Sequence, residues 1–339
     1  MTSGAGRLAG VDVARGLAVL GMATAHVGPV GEDWSRPAGW LQLTDGRSAG
    51  LFATLAGVSI GLLSGGEHAR DLSSARAKVA TRAVLIGLLG LALTSLGTPV
   101  AVILPSYAVM FVLMVPVLGV RSRTLAVAAG VVVVVGGTVH ASLGYAPWMH
   151  GRLASLVVSV SEPITEYLLA GLAVTRSGLL TAPARLAALG ARLAGFGYGT
   201  GAAAAVAGAR TADGWADLTP HSSTAPEVIG NLGVALLVLA ASLAIAPRTG
   251  AWLAPLAATG ALALTAYTGQ VVAIAALGDD VVWQPTAATW LAFCAVTLAA
   301  CWAWRAVLGR GPLESLVHRA SVTVAHAVTE ASSGRRDRV

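Results

Sequence analysis

The chain has 339 residues, of which 55% are hydrophobic and only 11% are charged. A soluble domain carries charge on about a quarter of its residues, and a chain with so few charges would leave large apolar patches in contact with water. The composition therefore excludes an ordinary soluble protein and predicts an all-α, polytopic membrane protein. The net charge of +6 does not indicate a nucleic acid partner, because basic residues in membrane proteins mark the cytoplasmic loops.

Ten apolar runs have about the length that an α-helix needs to cross a bilayer. They lie at residues 9–30, 47–65, 79–97, 100–120, 123–142, 155–176, 185–208, 225–246, 252–277 and 287–308. Ten spans leave short loops and no room for a separate soluble domain. We therefore assign residues 1–309 to a single transmembrane domain and residues 310–339 to a basic cytoplasmic tail.

The distribution of basic residues predicts the orientation. If both ends of the chain are cytoplasmic, 17 of the 22 lysine and arginine residues fall in inside loops or tails and four in outside loops. Cytoplasmic loops carry such an excess in membrane proteins, and an odd number of spans would destroy the alternation. Lys78 is the single lysine against 21 arginines, a bias that favours a bacterial source. The predicted location is the bacterial cytoplasmic (inner) membrane, with both termini in the cytoplasm.

The first predicted span carries three ionisable side chains, Asp12, Arg15 and His26. Ionisable residues inside a membrane are costly, so function is their default interpretation. Successive helical residues are about 100° apart, which places Arg15 within about 20° of His26, and Asp12 about 40° from it. One polar stripe then runs from the inner to the outer end of the helix. The alternatives are a structural ion pair between Asp12 and Arg15 and an interfacial histidine bonded to a neighbouring carbonyl.

A second group of polar residues lies near the outer parts of other predicted spans. Its members are Asp45, Arg47, Tyr107, His221, Glu227, Tyr267 and Gln270. Asp45 and Glu227 could instead be ordinary helix caps. Polar side chains avoid lipid, so we expect Tyr267 and Gln270 to face the interior of the bundle. His140 and His150 lack the spacing of metal ligands, and we predict no metal site.

Several segments resemble a known family. Residues 7–21 (RLAGVDVARGLAVLG) resemble the opening of transmembrane acyltransferase superfamily proteins, in particular the bacterial branch related to the catalytic domain of heparan-α-glucosaminide N-acetyltransferase. The spacing of Arg15 and His26 also resembles the arginine and histidine motif of bacterial membrane O-acetylases. Further segments that resemble the bacterial branch are residues 44–47 (TDGR), 51–57 (LFATLAG), 103–108 (ILPSYA), 221–233 (HSSTAPEVIGNLG), 264–267 (LTAY) and 311–314 (GPLE).

The resemblance implies transfer of an acyl group, typically acetyl from acetyl-CoA on the cytoplasmic side, to an acceptor on the far side. Arg15, Asp12 and Arg7 would then bind the CoA donor at the inner end of the first span. His26 would act as general base, because an imidazole titrates near neutral pH, and Asp45 would orient either this imidazole or the acceptor. The residues expected to contact the acceptor, an amine or hydroxyl of a sugar or glycolipid, are Arg47, Tyr107, His221, Glu227, Tyr267 and Gln270.

A transporter or lipid flippase that uses the same polar stripe as its pathway is the alternative function. The glycines and prolines do not show the paired helix interruptions common in transporters, which favours the acyltransferase hypothesis. The expected partners are membrane lipid, the CoA thioester and an extracytoplasmic acceptor, and a homodimer is compatible with the sequence.

Overall fold

The computed structural model describes residues 4–31, 33–144, 164–206 and 216–336, with side chains for all of these except 4–8, 137–144 and 332–336. Within these ranges the secondary structure is helical, and no strand occurs. The helices are α1 (Gly4–Val27), α2 (Pro37–Trp40), α3 (Arg47–Leu63), α4 (Leu72–Thr94), α5 (Leu104–Met114), α6 (Ser122–Gly144), α7 (Ile164–Arg176), α8 (Pro183–Val206), α9 (Ala225–Thr249), α10 (Ala254–Ala261), α11 (Ala263–Leu277), α12 (Asp280–Trp283), α13 (Ala287–Leu308) and α14 (Pro312–Arg336).

Side chains that the sequence places beside the apolar runs define several helix ends. The hydroxyl of Thr224 accepts the backbone N–H of Glu227 at the start of α9, and Thr286 does the same for Thr289 at the start of α13. Such caps satisfy backbone donors that have no partner within the helix. Gly309 follows α13 with a φ of +77°, a conformation that favours glycine and ends the helix.

Helix α1 lies at the centre of the bundle. It packs against α3, α9, α10, α11 and α13, while α8 pairs with α9, α3 with α7, and α4 with both α5 and α14. The contact between α1 and α10 is especially close, because a Cβ atom at Gly260 would overlap the carbonyl oxygen of Asp12. The polar residues of α1 are therefore held inside the protein, away from lipid.

Within the residues that the structure describes, four helical segments are long and apolar enough to cross a membrane: Pro37–Leu63, Leu72–Thr94, Ala225–Ala261 and Ala287–Leu308. Three shorter apolar helices are Leu104–Met114, Ser122–Gly136 and Ala263–Leu277. The all-helical architecture and the apolar helices are those of a membrane protein. The number of ten spans and the cytoplasmic position of both termini stay predictions.

The ninth predicted span, residues 252–277, is not one helix. It divides at Leu262 into α10 and α11. The prediction of a continuous helix was wrong because two side chains from distant elements replace the lost helical hydrogen bonds. Arg15 donates to the carbonyl oxygen of Gly260 (3.0 Å), and Glu314 accepts the backbone N–H of Thr265 (3.0 Å). A break at membrane depth is tolerated where protein groups satisfy the freed backbone.

Candidate functional site

Three cavities follow one another through the bundle. The first, which we call the polar cavity, has a volume of 550 Å³ and lies at the end of α1 that carries His26. The second, the middle cavity, measures 220 Å³ and is lined by Arg15. The third, the basic cavity, measures 500 Å³ and shares Arg82 and Glu314 with the middle cavity. Tyr107 lines both the middle and the polar cavities, so the three form a series.

The polar cavity collects side chains from five separate parts of the chain. The sequence-predicted residues that line it are His26, Asp45, Tyr107, His221, Glu227 and Tyr267. They come from α1, the turn before α3, α5, the loop before α9 together with the first turn of α9, and α11. Residues that are up to 241 positions apart in the chain, His26 and Tyr267, thus line one space.

Asp45 and His221 form a pair at the rim of this cavity. The Nε2 atom of His221 lies 3.2 Å from Oδ1 of Asp45, and the side chains are 63% and 41% exposed. The turn that presents Asp45 requires a φ of +66° at Gly46, a conformation that only glycine adopts without strain. Asp45 also interacts electrostatically with His26. The carboxylate therefore interacts with both imidazoles, and a hydrogen bond joins it to His221.

Glu227 anchors the loop that carries His221. Its buried carboxylate accepts the backbone N–H groups of His221 (3.0 Å) and Ser223 (2.7 Å), the hydroxyl of Ser222 (3.2 Å) and the side-chain amide of Asn231 (3.0 Å). His221 and Ser223 have φ values of +65° and +57°, which are unfavourable for residues other than glycine. The hydrogen bonds to Glu227 compensate for this strain. The carboxylate oxygens of Glu227 hold the loop in place. Glu227 also forms part of the wall of the polar cavity.

Arg47 was predicted to contact the acceptor, but the structure places it behind the polar cavity. Its Nε donates to the hydroxyl of Tyr198 (2.9 Å), and its guanidinium lies 5.2 Å from the centre of that ring. The Tyr198 hydroxyl donates in turn to Oδ1 of Asn231 (2.6 Å). Contact of Arg47 with the acceptor stays a prediction. Its partner Tyr198 is 151 positions away, and the local sequence carries no signal of this proximity. Arg47 connects α3 to the Glu227 network.

Gln270 also lies outside the polar cavity. It lines an apolar groove of 680 Å³ between α11 and α13, where its amide nitrogen is 3.5 Å from the hydroxyl of Thr297. Tyr267 points to the other side of α11, and its hydroxyl accepts the backbone N–H of Ile103 (3.3 Å). Three positions along a helix leave the two side chains about 60° apart, and the structure shows that they line different spaces.

At the other end of α1, the predicted ion pair between Asp12 and Arg15 is present, with Nη1 of Arg15 at 2.9 Å from Oδ1 of Asp12. Arg15 also donates to Ser59 Oγ (2.9 Å) and to the carbonyl of Gly260. Its guanidinium is thus fixed in the wall of the middle cavity. The side chain of Arg7 lies outside the described residues.

The basic cavity contains a cluster of cations that the sequence analysis missed. Arg82 of α4, Arg305 of α13, Arg310 and His318 line it together with Glu314. Burial lowers the pKa of His318 below its usual 6.5, and the positive charges of Arg310, Arg82 and Lys78 lower it further. Arg82 and Arg305 lie near the ends of the predicted spans 79–97 and 287–308, where basic residues are expected from topology alone, so the sequence did not single them out. In the part of the chain that the structure describes, Arg82 and Arg310 form no ion pair, so they remain available to an anionic ligand.

Glu314 is the acidic member of this cavity, and its carboxylate is engaged. It accepts the backbone N–H of Thr265 (3.0 Å) and its hydroxyl (2.5 Å). A carboxylate at the first turn of α11 is favourable because the N-terminal end of a helix carries partial positive charge. Glu314 therefore ties α14 to α11 and leaves the net charge of the cavity positive.

Known families match both halves of the chain. The family described as "Heparan-alpha-glucosaminide N-acetyltransferase, catalytic" matches residues 7–162, and the family described as "Protein of unknown function (DUF418)" matches residues 174–323. The chain is related to the transmembrane acyltransferase superfamily of the heparan-α-glucosaminide N-acetyltransferase type. A search of curated proteins and a search of solved structures found no match.

The polar cavity of this acyltransferase relative is built from both matched segments. His26, Asp45 and Tyr107 fall in the first match, whereas His221 and Tyr267 fall in the second. The hydrogen bond between Asp45 and His221 therefore joins the two segments. Among the described residues, no cluster of three or more histidine, cysteine, aspartate or glutamate side chains is arranged to hold a metal ion.

Proposed function

We propose that the protein is a membrane acyltransferase that takes an acetyl group from acyl-CoA bound at the basic cavity. The group passes to an amine or hydroxyl acceptor of the sugar or glycolipid class in the polar cavity. The observation that carries this proposal is the series of cavities, with arginines that form no ion pair among the described residues at one end and two imidazoles at the other. Donor and acceptor can then meet without crossing the whole membrane.

The basic cavity suits the phosphates of CoA. Arg82, Arg305 and Arg310 supply guanidinium groups, which bind phosphate through charge-assisted, often paired, hydrogen bonds. The middle cavity leads from these arginines past Arg15 toward Tyr107, and it suits the narrow thioester arm of the donor. Because Arg15 is already held by Asp12, Ser59 and Gly260, its role is to keep this passage polar and rigid.

The polar cavity suits the transfer step. The nitrogen or oxygen of the acceptor attacks the thioester carbonyl carbon, the C–S bond breaks, and a C–N or C–O bond forms. The proton of the attacking N–H or O–H passes to the imidazole of His26, the general base, and then to the leaving thiolate. Asp45 and His221 position the acceptor, since their mutual hydrogen bond fixes both at the rim.

The excess of basic residues on one side supports a cytoplasmic position of the donor end, because cytoplasmic loops carry such an excess. This orientation agrees with the location of CoA thioesters inside cells and puts the polar cavity on the extracytoplasmic side. We extend the proposal to a bacterial cytoplasmic membrane, where such an enzyme would modify a sugar or glycolipid that lies outside the cell.

The test is turnover of acetyl-CoA by the purified full-length protein in lipid nanodiscs, with glucosamine as acceptor probe and release of free CoA thiol as readout. We expect thiol release in the wild type and its loss in His26→Ala at unchanged thermal stability. Unchanged thiol release in this variant would overturn the assigned base. Solute flux across reconstituted vesicles without any thiol release would favour a transporter and overturn the proposal.

A further inference from the structure

One aromatic residue lies at the boundary between the middle and polar cavities. Among the described residues that line these two cavities, Tyr107 is the one common to both. The 220 Å³ middle cavity and the 550 Å³ polar cavity therefore both border on this residue. On the route of the proposed function, an acyl group that enters the polar cavity from the arginine end passes Tyr107.

Contacts on two sides hold the ring of Tyr107 in place. It packs edge-on against Phe52, with ring centroids 5.7 Å apart and an interplanar angle of 65°, and it is tilted against Phe111 at 6.4 Å. Such arrangements are the preferred geometries of aromatic pairs. The side chain is 3% exposed, so its position is set by packing.

The backbone below the ring is also fixed. Pro105 begins α5 and packs so closely on α4 that a Cβ atom at Gly90 would lie 2.6 Å from its Cδ. On the other side, the backbone N–H of Ile103 donates to the hydroxyl of Tyr267. The first turn of α5 is therefore clamped between α4 and α11, and Tyr107 cannot retreat by a shift of its helix.

We propose that Tyr107 determines which acyl groups can be transferred. This inference rests on the proposed function and adds to it the class of donor. A rigid aromatic partition lets a slim, unbranched acyl group such as acetyl pass with the thioester arm, and it excludes branched or aromatic acyl groups by their cross-section. The transfer step is unchanged: the C–S bond breaks, the bond to the acceptor forms, and the proton ends on the CoA thiol.

The experiment compares acetyl-CoA, isobutyryl-CoA and benzoyl-CoA as donors, with glucosamine as acceptor and free thiol as readout. We expect the wild type to use acetyl-CoA and to discriminate against the two bulky donors. Tyr107→Ala should raise the benzoyl-to-acetyl ratio of kcat/KM at least about tenfold, a change that corresponds to about 1.4 kcal/mol. Tyr107→Phe, which keeps the ring, should retain the wild-type ratio.

Two further variants keep the test decisive. Phe196→Ala removes an exposed aromatic ring that lines none of the three cavities, and it should leave the ratio within about twofold of the wild type by the same conversion. Tyr107→Leu replaces Tyr107→Ala if the latter unfolds, as judged by thermal unfolding. If the wild type turns over acetyl-CoA but neither Tyr107 variant changes the ratio, the inference is overturned. If the wild type releases no thiol from any donor, the proposed function itself fails.

Discussion

The two ends of the bundle treat their ionisable groups in opposite ways. In the polar cavity, the charged groups are engaged with one another or with the backbone: Asp45 pairs with His221, and Glu227 accepts four hydrogen bonds. In the basic cavity, Arg82 and Arg310 form no ion pair among the described residues. Groups that are locked in place suit chemistry at a fixed position, whereas unpaired cations suit an anion that arrives and leaves.

This difference predicts how the residues at each end of the bundle respond to substitution. In the polar cavity, a change of one group disturbs its partners, because the Glu227 network extends through Asn231 and Tyr198 to Arg47. In the basic cavity, the arginines act through their charge, and each can be removed with little effect on its neighbours. The predictions below test this division in order of expected effect.

The largest effect should come from His26→Ala. General bases contribute about 10²- to 10⁴-fold, so we expect a loss of this size in kcat for acetyl-CoA and glucosamine. His68→Ala, at an exposed histidine far from the three cavities, is the matched control and should retain full activity. If His221→Ala loses more kcat than His26→Ala, the roles of the two imidazoles are reversed.

The second effect concerns the donor end. Arg310→Gln removes a guanidinium that is free to bind phosphate, and a hydrogen bond to a charged group contributes about 1.5–3 kcal/mol. The KM for acetyl-CoA should therefore rise about 10- to 100-fold, with kcat nearly unchanged. Arg319→Gln changes an exposed arginine of α14 that does not line the cavity, and its KM should stay at the wild-type value. Equal effects in both variants would contradict a specific phosphate site.

The third effect is on stability. Glu227→Gln exchanges a buried acceptor of four hydrogen bonds for an amide, which leaves donors of the strained loop without a partner. We expect a loss of about 1–3 kcal/mol in the free energy of unfolding, together with faster hydrogen exchange at residues 219–224. The exposed Asp279→Asn should change neither quantity. A Glu227→Gln protein with wild-type exchange in this loop would show that the network does not hold it.

The smallest effect concerns pH. The lowered pKa of His318 keeps it neutral at pH 7, and protonation at lower pH adds a positive charge beside Arg310 and Arg82. The KM for acetyl-CoA should therefore fall as the pH drops through this pKa. His318→Gln should lose this pH dependence of the KM, whereas His326→Gln should keep it.

The same lowered pKa affects stability. Because folding lowers the pKa of His318, the stability that the neutral side chain contributes is present above about pH 6.5 and is lost toward acid pH.

The sequence predicts much of the polar cavity and little of the basic one. His26, Asp45 and His221 stand out because polar residues are rare in this chain, and a shortage of charge makes each one informative. Their distances could not be derived, since the pairing of Asp45 with His221 depends on how α1, α3 and α9 pack. Arg47 shows the limit of such reasoning, because its partner Tyr198 lies on another helix.

The basic cavity was missed for a physical reason. Arginines near the inner ends of spans are expected from topology alone, so Arg305 and Arg310 carry no separate signal. Arg82 lies equally near the end of its predicted span, and the closeness of the three arginines depends on how the helices pack. Likewise, nothing in the run of residues 252–277 predicts a break at Leu262, because the groups that permit it, Arg15 and Glu314, lie far away in the chain.

That break has a practical consequence for the design of shortened proteins. The sequence alone suggests that the chain could be truncated after residue 309, because residues 310–339 are predicted to form a separate tail. Yet Glu314 closes the start of α11 through Thr265, and α14 packs along α4. A protein that ends at residue 309 would leave a helix end uncapped at membrane depth and lose one wall of the basic cavity, so tags and fusions belong beyond residue 336.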